Sequence, residues 1–141
     1  MGGTGTDTFL LTGDGDKVDG ELPKSTDGVD YGLSAAAADV DLELGTGTVA
    51  GQSTTDHIAG VRSMVGSPFG DTLRGDSGQT VAIGNRGNDT IEGRDGNDSL
   101  RGGTGDDTLD GGPGFDNLDG WLGVDTCING EGFAMCDVIS P

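Results

Sequence analysis

The sequence predicts an all-β fold, a right-handed parallel β-roll in which short strands wind into a solenoid. Three observations lead to this prediction. Residues 84–119 consist of four consecutive nonapeptides with one shared pattern, the chain contains 30 glycines, and only 31% of its 141 residues are hydrophobic. A short repeat of fixed period indicates a solenoid, and so few apolar residues leave too little material for a conventional globular core.

Each nonapeptide has Gly at its first and fourth positions, Asp at its sixth and a large aliphatic residue at its eighth. The four copies are GNRGNDTIE, GRDGNDSLR, GGTGDDTLD and GGPGFDNLD. Glycine at the first and fourth positions permits positive φ and close backbone approach, so we expect the first six residues to turn tightly. The last three form a strand, in which the eighth side chain points inward and its neighbours point outward.

One nonapeptide makes half a coil and two make a full coil, so equivalent turns stack at the strand spacing of roughly 4.8 Å. This stacking places the sixth-position aspartates of alternate repeats side by side. Neighbouring carboxylates repel each other unless a cation lies between them. Ca²⁺ fits such a gap because it takes about six to eight oxygen ligands in flexible geometry, whereas Mg²⁺ requires a tighter octahedron.

The nonapeptides resemble those of the repeats-in-toxin family (RTX, haemolysin-type calcium-binding repeats). The resemblance extends over residues 2–19 and 51–128. It implies a calcium-binding β-roll on a secreted or cell-surface bacterial protein that is exported through a type I-like route and folds outside the cell. It also implies a binding and structural role, with no enzyme activity in this chain.

The repeats begin at the N-terminus, where residues 1–19 hold one clear copy, GGTGTDTFL at 2–10, and a weaker one at 11–19. Because Met1 is followed at once by a repeat, we expect the chain to be a monomeric fragment of a larger protein. Residues 20–65 depart from the pattern and are predicted to form an irregular β insert that continues the roll.

Within the insert, Val40, Leu42 and Leu44 alternate with acidic residues, as in a half-buried strand. We expect residues 48–50 to pair with that strand. The nine-residue pattern then returns at 51–59.

The main array is predicted at residues 66–128, where the period of nine is unbroken. One copy, 75–83, is defective, because Thr80 replaces the aspartate and Ala82 replaces the large aliphatic residue. We therefore expect weak or absent metal binding at that copy.

The predicted calcium ligands are the sixth-position carboxylates, assisted by backbone carbonyl groups of the neighbouring turns. The carboxylates are those of Asp7, Asp16, Asp56, Asp71, Asp89, Asp98, Asp107, Asp116 and Asp125, and the carbonyls lie near Gly84, Gly87, Gly93, Gly96, Gly102, Gly105, Gly111 and Gly114. Pairing the carboxylates of the array by stacking gives about four or five ions. Bound cations would also offset the net charge of −18, which otherwise opposes compaction.

The two cysteines, Cys127 and Cys136, fall at the eighth position of consecutive nonapeptides. In an extracellular chain such a pair favours a disulfide, and two buried free thiols are the alternative. Facing sheets about 10 Å apart would have to approach for a disulfide, which needs Cα atoms within about 7 Å. Residues 129–141 are predicted to be a cap, and Phe133 and Met135, together with Trp121 of the preceding repeat, are expected to close the roll. Ala134 takes the sixth position there, so calcium binding should stop.

Composition excludes several functions. An acidic chain without a basic stripe is not expected to bind nucleic acid, and no apolar run approaches the length of a membrane span. His57 is the only histidine, which excludes a zinc site of the usual composition.

Two alternative functions remain open. A predicted outward column of Thr72, Thr90, Thr108 and Thr126 could order water, as in an ice-binding or adhesin segment. The ninth-position column beside it is charged and uneven, which weakens that idea. The other alternative is the non-catalytic C-terminal part of a secreted hydrolase. Neither the parent protein nor a protein partner follows from the sequence.

Overall fold

The computed structural model describes residues 6–13, 15–19 and 27–140. Within these ranges the regular elements are sixteen short β-strands. The start of the first predicted repeat, residues 2–5, and the first part of the predicted insert, residues 20–26, lie outside the described residues. The strands wind into a parallel β-solenoid, which confirms the predicted fold class.

Two sheets form the opposite walls of the solenoid. The strands of the first sheet are β1 (Thr8–Leu10), β3 (Gly28–Asp30), β7 (Ser63–Val65), β9 (Val81–Arg86), β11 (Ser99–Thr104), β13 (Asn117–Leu122) and β15 (Ala134–Met135), which pair in this order. Those of the second sheet are β2 (Lys17–Asp19), β4 (Ala38–Asp41), β5 (Thr46–Val49), β6 (Asp56–Ala59), β8 (Thr72–Arg74), β10 (Thr90–Glu92), β12 (Thr108–Asp110), β14 (Thr126–Ile128) and β16 (Val138–Ser140). Their order across the sheet is β16-β14-β12-β10-β8-β4-β5-β6-β2.

The register of the array confirms that two nonapeptides make one coil. Ile91 pairs with Leu109 in one sheet, and Leu100 pairs with Leu118 in the other. The eighth-position residues point into the core, where each is at most 1% exposed: Leu73, Ala82, Ile91, Leu100, Leu109, Leu118 and Cys127. Burying a large aliphatic side chain contributes about 1.5–3 kcal/mol, so these inward residues, one column from each sheet, supply most of the apolar stabilisation of the array.

The turns differ from the prediction in one respect. Positive φ occurs at the second and fourth positions, and the second-position residues include Asn85, Arg94 and Trp121. The first-position glycines need close approach instead, because a Cβ on Gly84 would overlap the Asp89 carboxylate and lie 2.6 Å from Gly102 O. Glycine is therefore required at the first position because a Cβ would not fit there. At the fourth position it is required for the same reason and also because φ is positive.

The insert forms a β-hairpin that is built into the second sheet. Strands β4 and β5 are antiparallel, with Ala38 opposite Val49, and β4 continues the parallel ladder of β8. The predicted strand at Val40 is thus confirmed, but it ends at Asp41. Leu44 lies in the connecting turn and is 74% exposed, because the chain reverses there before the apolar alternation has ended.

The last coil breaks the period of nine. Leu118 pairs with Ala134 instead of Cys136, so the expectation that Cys136 occupies the eighth position is wrong, although its side chain still packs against the core. Cys136 lies in the link between β15 and β16, where its Cα atom is 5.8 Å from that of Cys127 and the two residues form a disulfide. Because this coil is shortened, Cys136 lies between the two sheets and not in the sheet opposite Cys127. The usual spacing of about 10 Å between facing sheets therefore does not prevent the disulfide.

The predicted cap residues do not cover the end of the core. Trp121, Phe133 and Met135 are each more than half exposed, and Trp121 lies beside Gly103 on the side of the roll. Strands β15 and β16 instead extend both sheets by one strand.

We expect reduction of the disulfide to increase the mass by two hydrogens and to destabilise the C-terminal coil. Cys127 and Cys136 are nine residues apart, and the loop-entropy account gives about 2–3 kcal/mol for a loop of this size. Mass spectrometry with and without reductant, followed by urea unfolding, measures both effects. Two thiols that react with iodoacetamide in the native, air-oxidised protein would contradict this expectation.

Candidate metal sites

The sixth-position side chains of the array form two buried columns, one on each edge of the roll. The column that precedes the strands of the second sheet contains Asp71, Asp89, Asp107 and Asp125, and the column that precedes the strands of the first sheet contains Thr80, Asp98 and Asp116. All seven are at most 2% exposed. The structure therefore brings together the aspartates that the period of nine predicted to be neighbours.

Each column is held together by the same hydrogen bond. One carboxylate oxygen, Oδ1, accepts from the backbone N–H of the sixth-position residue one coil earlier. The bonds are Asp71 N–H to Asp89 (2.7 Å), Asp89 to Asp107 (2.8 Å), Asp107 to Asp125 (2.9 Å), Thr80 to Asp98 (2.8 Å) and Asp98 to Asp116 (2.8 Å). These bonds fix successive coils in register.

The second carboxylate oxygen is left without a partner in the middle of both columns. Oδ2 of Asp89, Asp98, Asp107 and Asp116 is buried and has no hydrogen-bond partner in the described part of the chain. A buried carboxylate oxygen without a partner is costly. A cation beside these atoms would offset that cost.

The surroundings of these oxygens suit Ca²⁺. Asp89 Oδ2 and the carbonyl oxygen of Gly102 both lie in the space that a Cβ on Gly84 would occupy. Asp98 Oδ2 and the carbonyl oxygen of Gly111 have the same relation to Gly93. Carboxylate and carbonyl oxygens are the ligands that Ca²⁺ prefers, so the residues present fit this ion.

No three His, Cys, Asp or Glu side chains within the described residues converge on one point. A cation between two coils would therefore take its ligands from two carboxylates at most, with backbone carbonyls supplying others. Three of the predicted carbonyls, those of Gly84, Gly102 and Gly111, lie beside a carboxylate, and that of Gly93 lies beside the Thr80 hydroxyl. The fourth-position glycines stack directly on one another, and a Cβ on Gly96 would lie 2.5 Å from Gly78 O.

Burial favours the neutral form of these carboxylates. Desolvation raises the pKa of Asp89 to about 7, with a further contribution from the charges of Asp71 and Asp107. Desolvation also raises the pKa of Asp98 to about 6, and it raises the pKa values of Asp107 and Asp116. A bound cation would oppose this effect because it favours the charged form.

We expect the metal-free protein to be more stable in acid than at neutral pH. A pKa raised above 3.8 gives stability that is fully present below about pH 4 and is lost as the pH rises through the folded-state value, about 7 for Asp89. Thermal melting in chelator between about pH 4 and pH 8, followed by circular dichroism, measures this loss.

Two variants test the origin of that pH dependence. Asp89→Asn removes a titrating group, so it should flatten the decline in stability between about pH 4 and pH 7. Asp95→Asn removes the same charge from an exposed position and should leave the decline unchanged. A melting temperature of the metal-free parent that does not depend on pH would contradict the expectation.

The N-terminal repeats contribute another pair. Asp7 N–H donates to Asp27 Oδ1 over 2.8 Å, Asp27 is fully buried, and Oδ2 of both residues lacks a partner among the described residues. Asp27 could not be predicted from the period of nine, because it lies 20 residues after Asp7. The signal that could have found it is Asp27-Gly28-Val29, an aspartate two places before a buried aliphatic residue.

The C-terminal end holds a second residue that the period missed. Asp125 N–H donates to Oδ2 of Asp137 over 3.1 Å, so Asp137 continues the column of Asp125, whereas Ala134 was expected to follow Asp116 in the other column. In the segment Asp137-Val138-Ile139, as in the nonapeptides, an aliphatic residue stands two positions after the aspartate. The carboxylate column therefore extends one coil further than predicted.

The remaining predicted ligands have different surroundings. Asp16 contacts Asp56 through its backbone N–H (2.7 Å), and Asp56 is fully buried. Thr80 is buried as predicted for the defective copy, and its hydroxyl has no partner within the described part of the chain. The predicted aspartates of the array thus lie in columns, whereas Asp7, Asp16 and Asp56 lie in isolated pairs.

The model of the RTX calcium-binding nonapeptide repeat matches the chain in four overlapping copies, at residues 65–100, 74–109, 83–118 and 101–133. No curated protein sequence matches the chain. Nor do the described residues include a helix that is long and apolar enough to cross a bilayer.

The family match can be compared with the geometry of the columns. The matched region contains Asp89, Asp98, Asp107 and Asp116, whose buried Oδ2 atoms have no partner among the described residues. Through residues 65–133 the chain belongs to the family of RTX calcium-binding nonapeptide repeats.

Proposed function

We propose that this chain is a calcium-responsive β-roll domain of a secreted or cell-surface bacterial protein, and that it folds when it meets calcium outside the cell. The observation that carries the proposal is the series of buried, unpartnered Oδ2 atoms along both columns. Its role is binding and structural, and no catalytic step is proposed.

Three carboxylate pairs are the best candidates for shared ions. They are Asp89 with Asp107, Asp107 with Asp125, and Asp98 with Asp116. Thr80 with Asp98 makes a poorer site because a hydroxyl replaces one carboxylate. Asp7 with Asp27 is a further candidate that lies outside the array.

Charge neutralisation explains why such ions would control folding. Three Ca²⁺ ions, with two positive charges each, would change the formal net charge from −18 to −12. A ligand that binds only the folded state stabilises it in proportion to the logarithm of its concentration. The domain would then be unstable where calcium is scarce and stable where it is plentiful.

A calcium titration of the chelated protein tests the proposal. We expect circular dichroism to show mostly coil in EDTA at neutral pH and a β spectrum after Ca²⁺ is added. The same concentration of Mg²⁺ is the control and should restore much less structure, because Mg²⁺ requires a tighter octahedral site. A full β spectrum in EDTA would contradict the proposal.

One observation favours a second role for the outer face. Thr72, Thr90, Thr108 and Thr126 lie in register on neighbouring strands, as an ordered-water or ice-binding surface would require. The ninth-position column beside them contains Arg74 and Glu92, and Arg74 forms an ion pair with Asp39 (2.7 Å). A measurement of thermal hysteresis tests this role, and its absence would leave only the calcium-responsive function. The idea that the chain is part of a secreted hydrolase stays a prediction.

A further inference from the structure

Two predicted calcium ligands, Asp56 and Asp71, already have hydrogen-bond donors on both carboxylate oxygens. Oδ2 of Asp56 accepts from the hydroxyl of Tyr31 (2.7 Å). Oδ1 of Asp56 accepts from the backbone N–H groups of Gly15 (3.0 Å) and Asp16 (2.7 Å). A carboxylate has about four acceptor sites, so three of them are filled at Asp56.

Asp71 reaches the same state with different donors. Its Oδ1 accepts from the Ala38 backbone N–H (2.6 Å) and from the Ser67 hydroxyl (2.6 Å). Its Oδ2 accepts from the Ser67 backbone N–H (2.6 Å). By contrast, the carboxylate of Asp107 accepts a single hydrogen bond, from Asp89, and its Oδ2 has no partner among the described residues.

The donors at both sites are buried and permanent parts of the protein. Tyr31 and Ser67 are fully buried, so water does not compete for their hydroxyl groups. Desolvation raises the pKa of Tyr31, which keeps its hydroxyl protonated and able to donate. Hydrogen bonds to a charged acceptor are about twice as strong as neutral ones, so these donors offset part of the cost of burying the two carboxylates, although desolvation still raises the pKa of Asp71.

Arg94 supplies a positive charge where the insert meets the array. The guanidinium of Arg94 donates to both oxygens of Asp41 (2.9 and 2.7 Å) and to the carbonyl oxygen of Gly75 (2.8 Å). Gly75 O is a first-position carbonyl, the kind of oxygen that lies beside the unpartnered carboxylates elsewhere. Arg94 thereby ties the insert to the first coils of the array.

We infer that Tyr31, Ala38, Asp56, Ser67 and Asp71 form a calcium-independent junction cluster, which interrupts the calcium sites and keeps its structure when calcium is absent. This inference rests on the proposed calcium-responsive function, since it concerns where along the roll that response stops. The cluster places β8 beside β4, and β8 is the strand on which β10 and the later coils stack. The junction cluster thus offers a preformed edge to the calcium-dependent array.

Hydrogen exchange of the full chain, followed by mass spectrometry in EDTA and in Ca²⁺, tests the inference. Amides of the junction cluster, such as Tyr31 N–H, which bonds Val65 O (2.9 Å), should be protected in both conditions. Amides of the array, such as Asp89 and Thr108, should be protected only in Ca²⁺. If junction amides exchange in EDTA as fast as those of the array, the inference is wrong. If the amides of the array do not respond to calcium, the proposed function itself is wrong.

Variants of the two hydroxyl donors give a second test. Tyr31→Phe and Ser67→Ala should each lower protection of the junction amides in EDTA about tenfold or more. Tyr31→Phe leaves Oδ2 of Asp56 without its donor, and Ser67→Ala removes one of the two donors to Oδ1 of Asp71. Ser99→Ala removes the same atom as Ser67→Ala from an exposed position in the array and should leave junction protection unchanged. Equal effects of Ser67→Ala and Ser99→Ala would overturn the assignment of Ser67.

Calcium stoichiometry gives a third test that does not depend on stability in EDTA. Asp56→Asn and Asp71→Asn should bind as many Ca²⁺ ions as the parent in titration calorimetry. Asp89→Asn should bind at least one fewer. Loss of an ion from Asp56→Asn would show that this carboxylate is a ligand and would contradict the inference.

Discussion

Replacing Gly105 by Ala is expected to disrupt the array even at saturating calcium. Gly105 has a φ of 133°, and an added Cβ would overlap the carbonyl of Gly87 and lie 2.8 Å from Asn88 Oδ1. The clash is with backbone, which cannot move without breaking the stacking of the coils. Backbone strain of about 1–3 kcal/mol combined with overpacking of about 1–3 kcal/mol predicts a loss of several kcal/mol in the free energy of unfolding.

Gly51→Ala is the control for this variant. Gly51 also has positive φ, 82°, but an added Cβ there would meet nothing within 4 Å. It should therefore show only the conformational cost of about 1 kcal/mol. Urea unfolding of both variants in excess Ca²⁺ separates the two contributions. Equal losses would contradict the view that coil stacking requires glycine at the fourth position.

The core of the array follows from the sequence because two constraints act on the same residue. The period of nine fixes which side chains stack, and the alternation of a strand fixes which of them points inward. Ile91, Leu100, Leu109 and Leu118 satisfy both, and all are at most 1% exposed. Even the defective copy keeps this geometry, since Ala82 is fully buried in register with Leu100.

The left-handed residues at the second position could not be predicted, because their conformation depends on contacts between coils. The side chain of Asn85 donates to Gly66 O (2.8 Å), and that of Arg94 donates to Gly75 O (2.8 Å). Asparagine tolerates positive φ, but arginine is not expected there. Its bonds to the previous coil and to Asp41 offset the cost of that conformation.

A second ladder of hydrogen bonds was also invisible in the sequence. Asn88 Oδ1 accepts from the backbone N–H of Asp106 (3.0 Å), and Asp106 Oδ1 accepts from that of Val124 (2.9 Å). These fifth-position side chains bond the following coil, whereas the sixth-position aspartates bond the preceding one. The residue types vary because an asparagine and an aspartate both supply the required acceptor.

The candidate ligands were predictable only where coil length is constant. Asp27 follows its partner by 20 residues and Asp137 follows its partner by 12, whereas the array spacing is 18. Strand pairing decides which residues become neighbours, and the disulfide helps to place Asp137 beside Asp125. A count of nines cannot detect either change.

Asp107→Ala should remove two bound calcium ions, whereas Asp116→Ala should remove one. Asp107 lies between two carboxylates, those of Asp89 and Asp125. Asp116 has a carboxylate neighbour on one side, Asp98, and Gly132 on the other, whose N–H donates to Asp116 O (2.9 Å). Asp125 is a less suitable comparison because Asp137 extends its column.

Stability should follow the same order as stoichiometry. Asp107→Ala also removes the acceptor of the Asp89 N–H bond, and loss of one partner of a shared buried charge can cost about 3–5 kcal/mol. Asp107→Asn keeps an acceptor at that position while removing the charge, so it separates the two effects. Titration calorimetry at saturating Ca²⁺ counts the ions in each variant. Equal calcium losses for Asp107→Ala and Asp116→Ala would contradict the pairing of carboxylates between coils.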